Sequence, residues 1–272
     1  MLKQRLLTAA ILIPLVVWGV LALPNTVFAL LLAGIVIAGF WEWAGLMGIA
    51  EPLDRLMYIL IALPFMWFGG TLPAGMLVGA SVGAVWWLVA IAWMLRFNVH
   101  PVVVPPSLIT GGGAGMLTLI PAWMALVVLH GSESYGPKYV LFLMVLIWLA
   151  DTGAYFAGRL WGSRKLAANI SPGKTWEGVW GALAMTMVMG LAGGRLLEVD
   201  PVMLPAFVSL CVITVVFSIA GDLLESMFKR RAGVKDSGKL LPGHGGVLDR
   251  IDSLTAAAPV FLTGLLLLGM LG

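Results

Sequence analysis

Residues 203–252 read MLPAFVSLCVITVVFSIAGDLLESMFKRRAGVKDSGKLLPGHGGVLDRID. The run from 203 to 224 is almost wholly apolar, and a helix needs roughly 20 such residues to cross about 30 Å of hydrocarbon. The next stretch is the opposite. From Asp222 to Asp252 the chain carries five carboxylates (Asp222, Glu225, Asp236, Asp249, Asp252) and six cations (Lys229, Arg230, Arg231, Lys235, Lys239, Arg250). A second apolar run, 254–271, begins at once. A polar block held between two membrane-length segments implies a polytopic membrane protein with its chemistry at one rim.

The rest of the chain agrees. Of 272 residues 61% are hydrophobic and 11% charged, about half the charge of an ordinary soluble domain. The reading is all-α, a polytopic helical bundle of about nine spans: 6–23, 26–47, 56–71, 74–95, 108–129, 139–159, 177–196, 203–224 and 254–271. The third is short and interrupted by Pro64. The opening Met-Leu-Lys-Gln-Arg and the run 6–23 imitate a signal peptide, but the apolar run is too long for one, so it is read as the first span. With a cytoplasmic amino terminus, nine crossings put fourteen of the 16 Lys and Arg on the inner side and only Lys138 and Arg195 outside, as the positive-inside rule requires.

Residues 1–272 are read as one membrane domain, 1–135 mainly scaffold and 136–272 carrying the chemistry. Gly75, Gly79 and Gly83, Gly111 and Gly115, and Gly190 and Gly194 recur every fourth residue and mark close helix packing. Trp41, Trp43, Trp86, Trp87, Trp93, Trp161 and Trp176 fall near predicted span ends, as an interfacial belt would. Cys211 is the single cysteine and is assigned to packing. His100 and His130 are read as solvated, and Glu42, near the end of the second span, as an affordable interfacial carboxylate.

Asp222, Glu225 and Ser226 share one helix face at the end of the eighth span; Asp249 and Asp252 repeat the spacing at the start of the ninth. A carboxylate at mid-bilayer costs about 2.5–3.5 kcal/mol on insertion scales, so these groups need partners. Helix-end salt bridges would satisfy them. The intervening loop adds more, because Lys229, Arg230, Arg231, Lys235 and Lys239 are joined by His244-Gly245-Gly246, whose backbone N–H groups can turn toward an anion. Carboxylates, cations and open amides together suit a metal-bound polyphosphate, with magnesium favoured by all-oxygen ligands. His244 is placed on phosphate, or as a proton donor.

A second cluster comprises Asp151, Arg159, Arg164, Lys165 and the run from Asn169 to Glu177. Ser171–Thr175 reads Ser-Pro-Gly-Lys-Thr, a weak echo of a P-loop: position 168 is Ala168 rather than glycine, and no strand is expected before it. Lys174, just ahead of a helix start, is a sensible phosphate contact or an ordinary positive-inside anchor.

The signature from Ser226 through Lys229-Arg230, Lys235-Asp236, His244-Gly245-Gly246 and Asp249-Arg250 to Asp252 closely resembles that of phosphatidate cytidylyltransferases, the CDP-diacylglycerol synthases. Asp151-Thr-Gly-Ala-Tyr, Ser171-Pro-Gly-Lys-Thr-Trp-Glu and Gly221-Asp222-Leu-Leu-Glu225-Ser226 add to the resemblance, which covers roughly the last 120 residues. It implies transfer of CMP from CTP to phosphatidate at the cytoplasmic face, with magnesium and, in some members, a potassium ion beside it; a bacterial inner membrane is the location expected. It also implies a fold that is often a homodimer; no nucleic-acid partner is expected. The resemblance makes Asp222 and Asp249 metal ligands, and Lys229, Arg230, Lys235, His244 and Arg250 candidates for phosphate contacts. Asp252 is added to the catalytic set. Lys174, Ser171, Asp151, Asn169, Ser226, Gly245 and Gly246 join Arg230 and Arg250 on the substrate side. A cytidylyltransferase for ether lipids and a CTP-dependent polyprenol kinase stand as near alternatives, and a transporter as a distant one.

Overall fold

The computed structural model describes residues 13–71, 74–133, 135–240 and 245–271. Among them the chain forms α1 (Ile13–Ala22), α2 (Asn25–Leu46), α3 (Pro52–Thr71), α4 (Gly75–Val99), α5 (Leu108–Gly131), α6 (Gly136–Trp161), α7 (Trp176–Leu196), α8 (Leu204–Arg231) and α9 (Leu248–Leu267). One short antiparallel hairpin, β1 (Lys165–Ala167) and β2 (Ser171–Thr175), lies between α6 and α7. Eight of these helices, α2 to α9, are long and apolar enough to cross a bilayer. Their outward faces carry exposed Leu30, Trp67, Val85, Leu88, Leu160 and Val188, a surface that water would not tolerate and lipid does. The chain is an all-α, polytopic integral membrane protein. Part of the predicted first span, with Lys3 and Arg5, lies outside the described residues.

Helix α5 is the axis of the bundle: 78% of its apolar window is buried, and α2, α4, α6 and α9 pack around it. Small residues allow this. A Cβ added at Gly79 would meet the sulfur of Met124, and one at Gly83 would meet Pro121. Added at Gly153 or Gly181, it would meet the other helix's backbone, which fixes the crossing of α6 on α7. At Gly221 it would meet the carbonyl of Asp252, so α8 and α9 touch backbone to backbone beside Asp222. The packing role read for the glycine repeats holds where their contacts are described.

Hydrogen bonds define the two ends. At one, Asn169 in the hairpin turn is tied to Asn98 at the close of α4. Arg230 Nε donates to Ile170 O and Arg231 Nε to Val104 O. At the other, His130 bridges Asn25 and Val20 O, and Tyr135 donates to Glu198. Among the described cations only Lys138 and Arg195 fall at this second end.

Several expectations are corrected. Helix α3 runs unbroken through Pro64; α8 extends to Arg231 and α9 starts at Leu248, so all the carboxylates of interest except Asp236 lie on helix. Trp43 and Trp87 are core residues, donating to Gly111 O and Thr255 O, and not members of a belt. His130 is buried and stacked on Phe28. Strands do occur at 165–175, because Ala167 and Ile170 bury their side chains beneath the bundle's polar end.

Candidate active site

Two ammonium groups organise the polar end. Lys174 Nζ, on β2, lies 2.7 Å from Asp222 Oδ2. Lys229 Nζ lies 2.6 Å from Glu225 Oε2 and 2.7 Å from Asp249 Oδ1. The hairpin delivers Lys174 because Thr175, the next residue, caps α7 by accepting from Gly178 N at 3.2 Å. Glu177 then ties the first turn of α7 back to Ser163 and Arg164. Helix α8 presents Asp222, Glu225, Ser226 and Lys229 at helical spacing, and Ser226 Oγ donates to Asp222 Oδ1 at 3.2 Å.

Asp249 opens α9 with both oxygens occupied. Oδ1 receives Lys229, while Oδ2 receives Ser237 N, Ser237 Oγ and Gly246 N at 2.8–3.0 Å. Gly245 makes the turn above it with φ +81°, where a Cβ would sit 2.7 Å from Asp249 Oδ2. Only glycine serves both demands. Asp252 follows one turn on, close enough for Asp222, Glu225 and Lys174 to act on its charge. Asp151, on α6, is in the same electrostatic reach of Lys174 and Asp222. Glu225 Oε1 is buried and has no hydrogen-bond partner among the described residues.

The structure therefore brings Asp222, Asp249, Asp252, Lys229, Lys174, Ser226, Asp151, Gly245 and Gly246 together. It gives others local duties. Asn169 is spent on Asn98, Arg230 on Ile170 O, and Ser171 pairs with Ala167 in the hairpin. Lys235 and Arg250 are exposed. His244 lies outside the described residues.

Two contributors were missed. Glu42, assigned to the interface from sequence, is 3% exposed. Its Oε1 accepts from Val247 N at 3.0 Å, and its Oε2 from Leu248 N and Ser237 Oγ at 2.9 and 3.0 Å. The available signal was a carboxylate inside an apolar span, which by default needs a partner. Ser237 gave none.

Among the described residues no three of His, Cys, Asp and Glu converge as a metal cage. A magnesium ion that meets polyphosphate asks for less, one or two carboxylates with phosphate and water oxygens completing its shell. Asp222 and Asp249 offer oxygen ligands of that kind, but each is engaged by a lysine, so a cation there would compete with Lys174 at Asp222 Oδ2 and with Lys229 at Asp249 Oδ1.

Comparison with known proteins places these residues in context. The profile of the "Cytidylyltransferase family" matches residues 3–268. Phosphatidate cytidylyltransferase of Pseudomonas aeruginosa is 43% identical over 269 residues, covering 96% of each chain. The protein of the same name from Haemophilus influenzae is 40% identical over 288 residues, covering 96% of this chain and 97% of its own. That of Staphylococcus saprophyticus is 45% identical over 133 residues, about half of each chain.

Proposed function

Because the chain belongs to the cytidylyltransferase family, we propose that it transfers CMP from CTP to phosphatidate, giving CDP-diacylglycerol and pyrophosphate. The observation that carries the mechanism is the pairing of Lys174 and Lys229 with carboxylates of α8 and α9 at one end of a lipid-embedded bundle.

A phosphatidate oxygen is already anionic near neutral pH and attacks the α-phosphorus of CTP without a strong protein base. The new bond joins that oxygen to the α-phosphorus. The bond to the oxygen bridging the α- and β-phosphorus breaks, and its electrons leave with pyrophosphate. The obstacle is repulsion between two anions, so positioned positive charge supplies the catalysis.

Lys174 fits this need. An ammonium carries three N–H donors, and Lys174 keeps donors for a phosphate while Asp222 holds it in place. Lys229 is a fixed positive charge between Glu225 and Asp249. Gly245 lies at the loop's edge, while the Gly246 N–H is committed to Asp249. Asp222 and Asp249 are the proposed magnesium ligands; magnesium there would neutralise phosphate charge and align the leaving group. A potassium ion beside it and a homodimer belong to the same proposal.

The crowding of cations at the site end supports a cytoplasmic active site, and the bacterial relatives support an inner membrane. A headgroup met at the rim also leaves acyl chains in hydrocarbon, beside the exposed Tyr155, Phe156 and Trp180 of α6 and α7. The deciding assay is pyrophosphate release from labelled CTP by protein purified in detergent. Release should require both phosphatidate and magnesium. Equal turnover on ether phosphatidate or polyprenol would overturn the lipid assignment, and no turnover on any lipid the enzyme class.

A further inference from the structure

Helix α9 carries Asp249 and Asp252 in its first turns, yet its own amino terminus has no side-chain cap from Val247. The first N–H groups of a helix need acceptors. Here the acceptor arrives from the other half of the sequence: Glu42 of α2 takes Val247 N on one oxygen and Leu248 N on the other. A carboxylate in that position also meets the positive end of the helix dipole.

The same carboxylate reaches the catalytic loop. Ser237 Oγ stands 3.0 Å from Glu42 Oε2 and 3.0 Å from Asp249 Oδ2. Ser237 can donate its one hydroxyl proton to either carboxylate, so it stands between the buried anchor and the proposed metal ligand. Ser237 N–H holds Asp249 besides. The loop is shaped to this carboxylate: a Cβ on Gly238 would meet Glu42 Oε1, and one on Gly246 would meet both Ser237 Oγ and Glu42 Oε2. Hydrogen bonds and close backbone approach are independent observations, and both centre on Glu42.

We propose that Glu42 and Ser237 are positioning residues of the reaction: the α2 carboxylate and the loop hydroxyl hold Ser237, Gly238, residues 246–248 and the first turn of α9 so that Asp249 faces the substrates. The inference rests on the proposed cytidylyl transfer, since it is Asp249's part in that reaction that Glu42 and Ser237 serve. It gives the amino-terminal half of the chain a part in the site.

The test uses full-length protein in detergent and four variants: Glu42→Ala, Ser237→Ala, Gly238→Ala and the Glu42→Ala/Gly238→Ala pair. A misplacement of about 1 Å can cost roughly 100-fold in rate; that loss is expected for Glu42→Ala, and about a tenth of it for Ser237→Ala. For both, the magnesium concentration giving half-maximal rate should rise severalfold, because Asp249 is misaimed. A role confined to stability would lower the active fraction and leave that concentration unchanged. Gly238→Ala alone should be impaired, since its methyl collides with the carboxylate. Added to Glu42→Ala it should cost nothing further, because the obstructing oxygens are gone.

Hydrogen exchange supplies a readout independent of turnover: the amides of Val247 and Leu248 should exchange much faster in Glu42→Ala. Faster exchange with unchanged rate and magnesium dependence in every variant would overturn the inference. An inactive wild type would instead overturn the functional reading. If Glu42→Ala does not fold, the loop variants Ser237→Ala and Gly238→Ala decide by the same criteria.

Discussion

Replacing Lys229 by methionine keeps most of the unbranched side chain, one atom shorter, and removes its charge. The ammonium is 14% exposed and its partners Glu225 and Asp249 are 3% and 9% exposed. Breaking a buried pair by deleting one member costs roughly 3–5 kcal/mol, because the other charge is left in a poor solvent; an exposed pair would cost about 0–1 kcal/mol. The loss should not fall equally on the two carboxylates. Asp249 retains Ser237 N, Ser237 Oγ and Gly246 N. Among the described residues Glu225 retains nothing, its Oε2 having only Lys229 and its Oε1 no partner. Most of the cost therefore belongs to Glu225, and Lys229→Met/Glu225→Gln should recover more than half of it. Lys229→Met/Asp249→Asn should recover much less, since Asp249 keeps its donors on Oδ2 and is not the stranded charge. Thermal unfolding of the purified variants in detergent measures this cycle. CMP transfer should remain low in all three. A Lys229→Met protein within about 1 kcal/mol of wild type, or equal recovery by the two second-site changes, would show that the pair is solvated and the reasoning wrong.

Three further outcomes are expected. Asp222→Asn and Asp249→Asn should each lower magnesium-dependent turnover by at least about 100-fold while the protein still inserts and elutes as wild type; near-normal rates in both would remove the metal assignment. Lys174→Ala should leave stability within about 1 kcal/mol, its ion pair being a quarter to a third exposed, yet raise the KM for a phosphate-bearing substrate at least tenfold, as initial-rate kinetics would show. His130→Ala, at the opposite end and buried against Phe28, should cost about 1–3 kcal/mol of stability with kcat/KM unchanged once folded protein is assayed.

Sequence alone reached eight of its nine predicted spans and the polar end because lipid imposes harsh rules. A crossing needs some 20 apolar residues, and nothing else in the chain resembles one. Boundaries at the site were less legible. Asp249 and Asp252 depress hydropathy over a stretch that is helical from Leu248, so α9 is read as starting late. The hairpin at 165–175 carries Pro172 and Gly173, poor strand formers, and exists because Ile170 and Ala167 are buried and Arg230 grips the Ile170 carbonyl. Trp43 and Trp87 sit where a belt residue would, and only the fold reveals that their indole N–H groups find carbonyls inside.

Glu42 was hidden for a different reason. Its three donors lie 195 to 206 residues further along the chain, so no local window contains them. Asp222 and Lys229 were found because helix periodicity puts their neighbours three and four residues away. Long-range contacts of this kind leave one trace in a single sequence, a costly residue without a visible reason.

The two lysines are not equivalent, and their surroundings say which one moves. An ion pair a quarter to a third exposed, like Lys174 with Asp222, is worth little in water's presence. A phosphate carrying more charge than a carboxylate can take Lys174 over at small cost. Lys229 is gripped by two carboxylates in a nearly dry setting, where withdrawing it strands buried charge. Lys174, on a short hairpin at the rim, is thus suited to follow a substrate phosphate as it arrives and leaves. Lys229 is suited to hold α8 and α9 in register beneath it. On the proposed function, substrate capture and scaffold rigidity would fall to two residues of the same type, with burial making the difference.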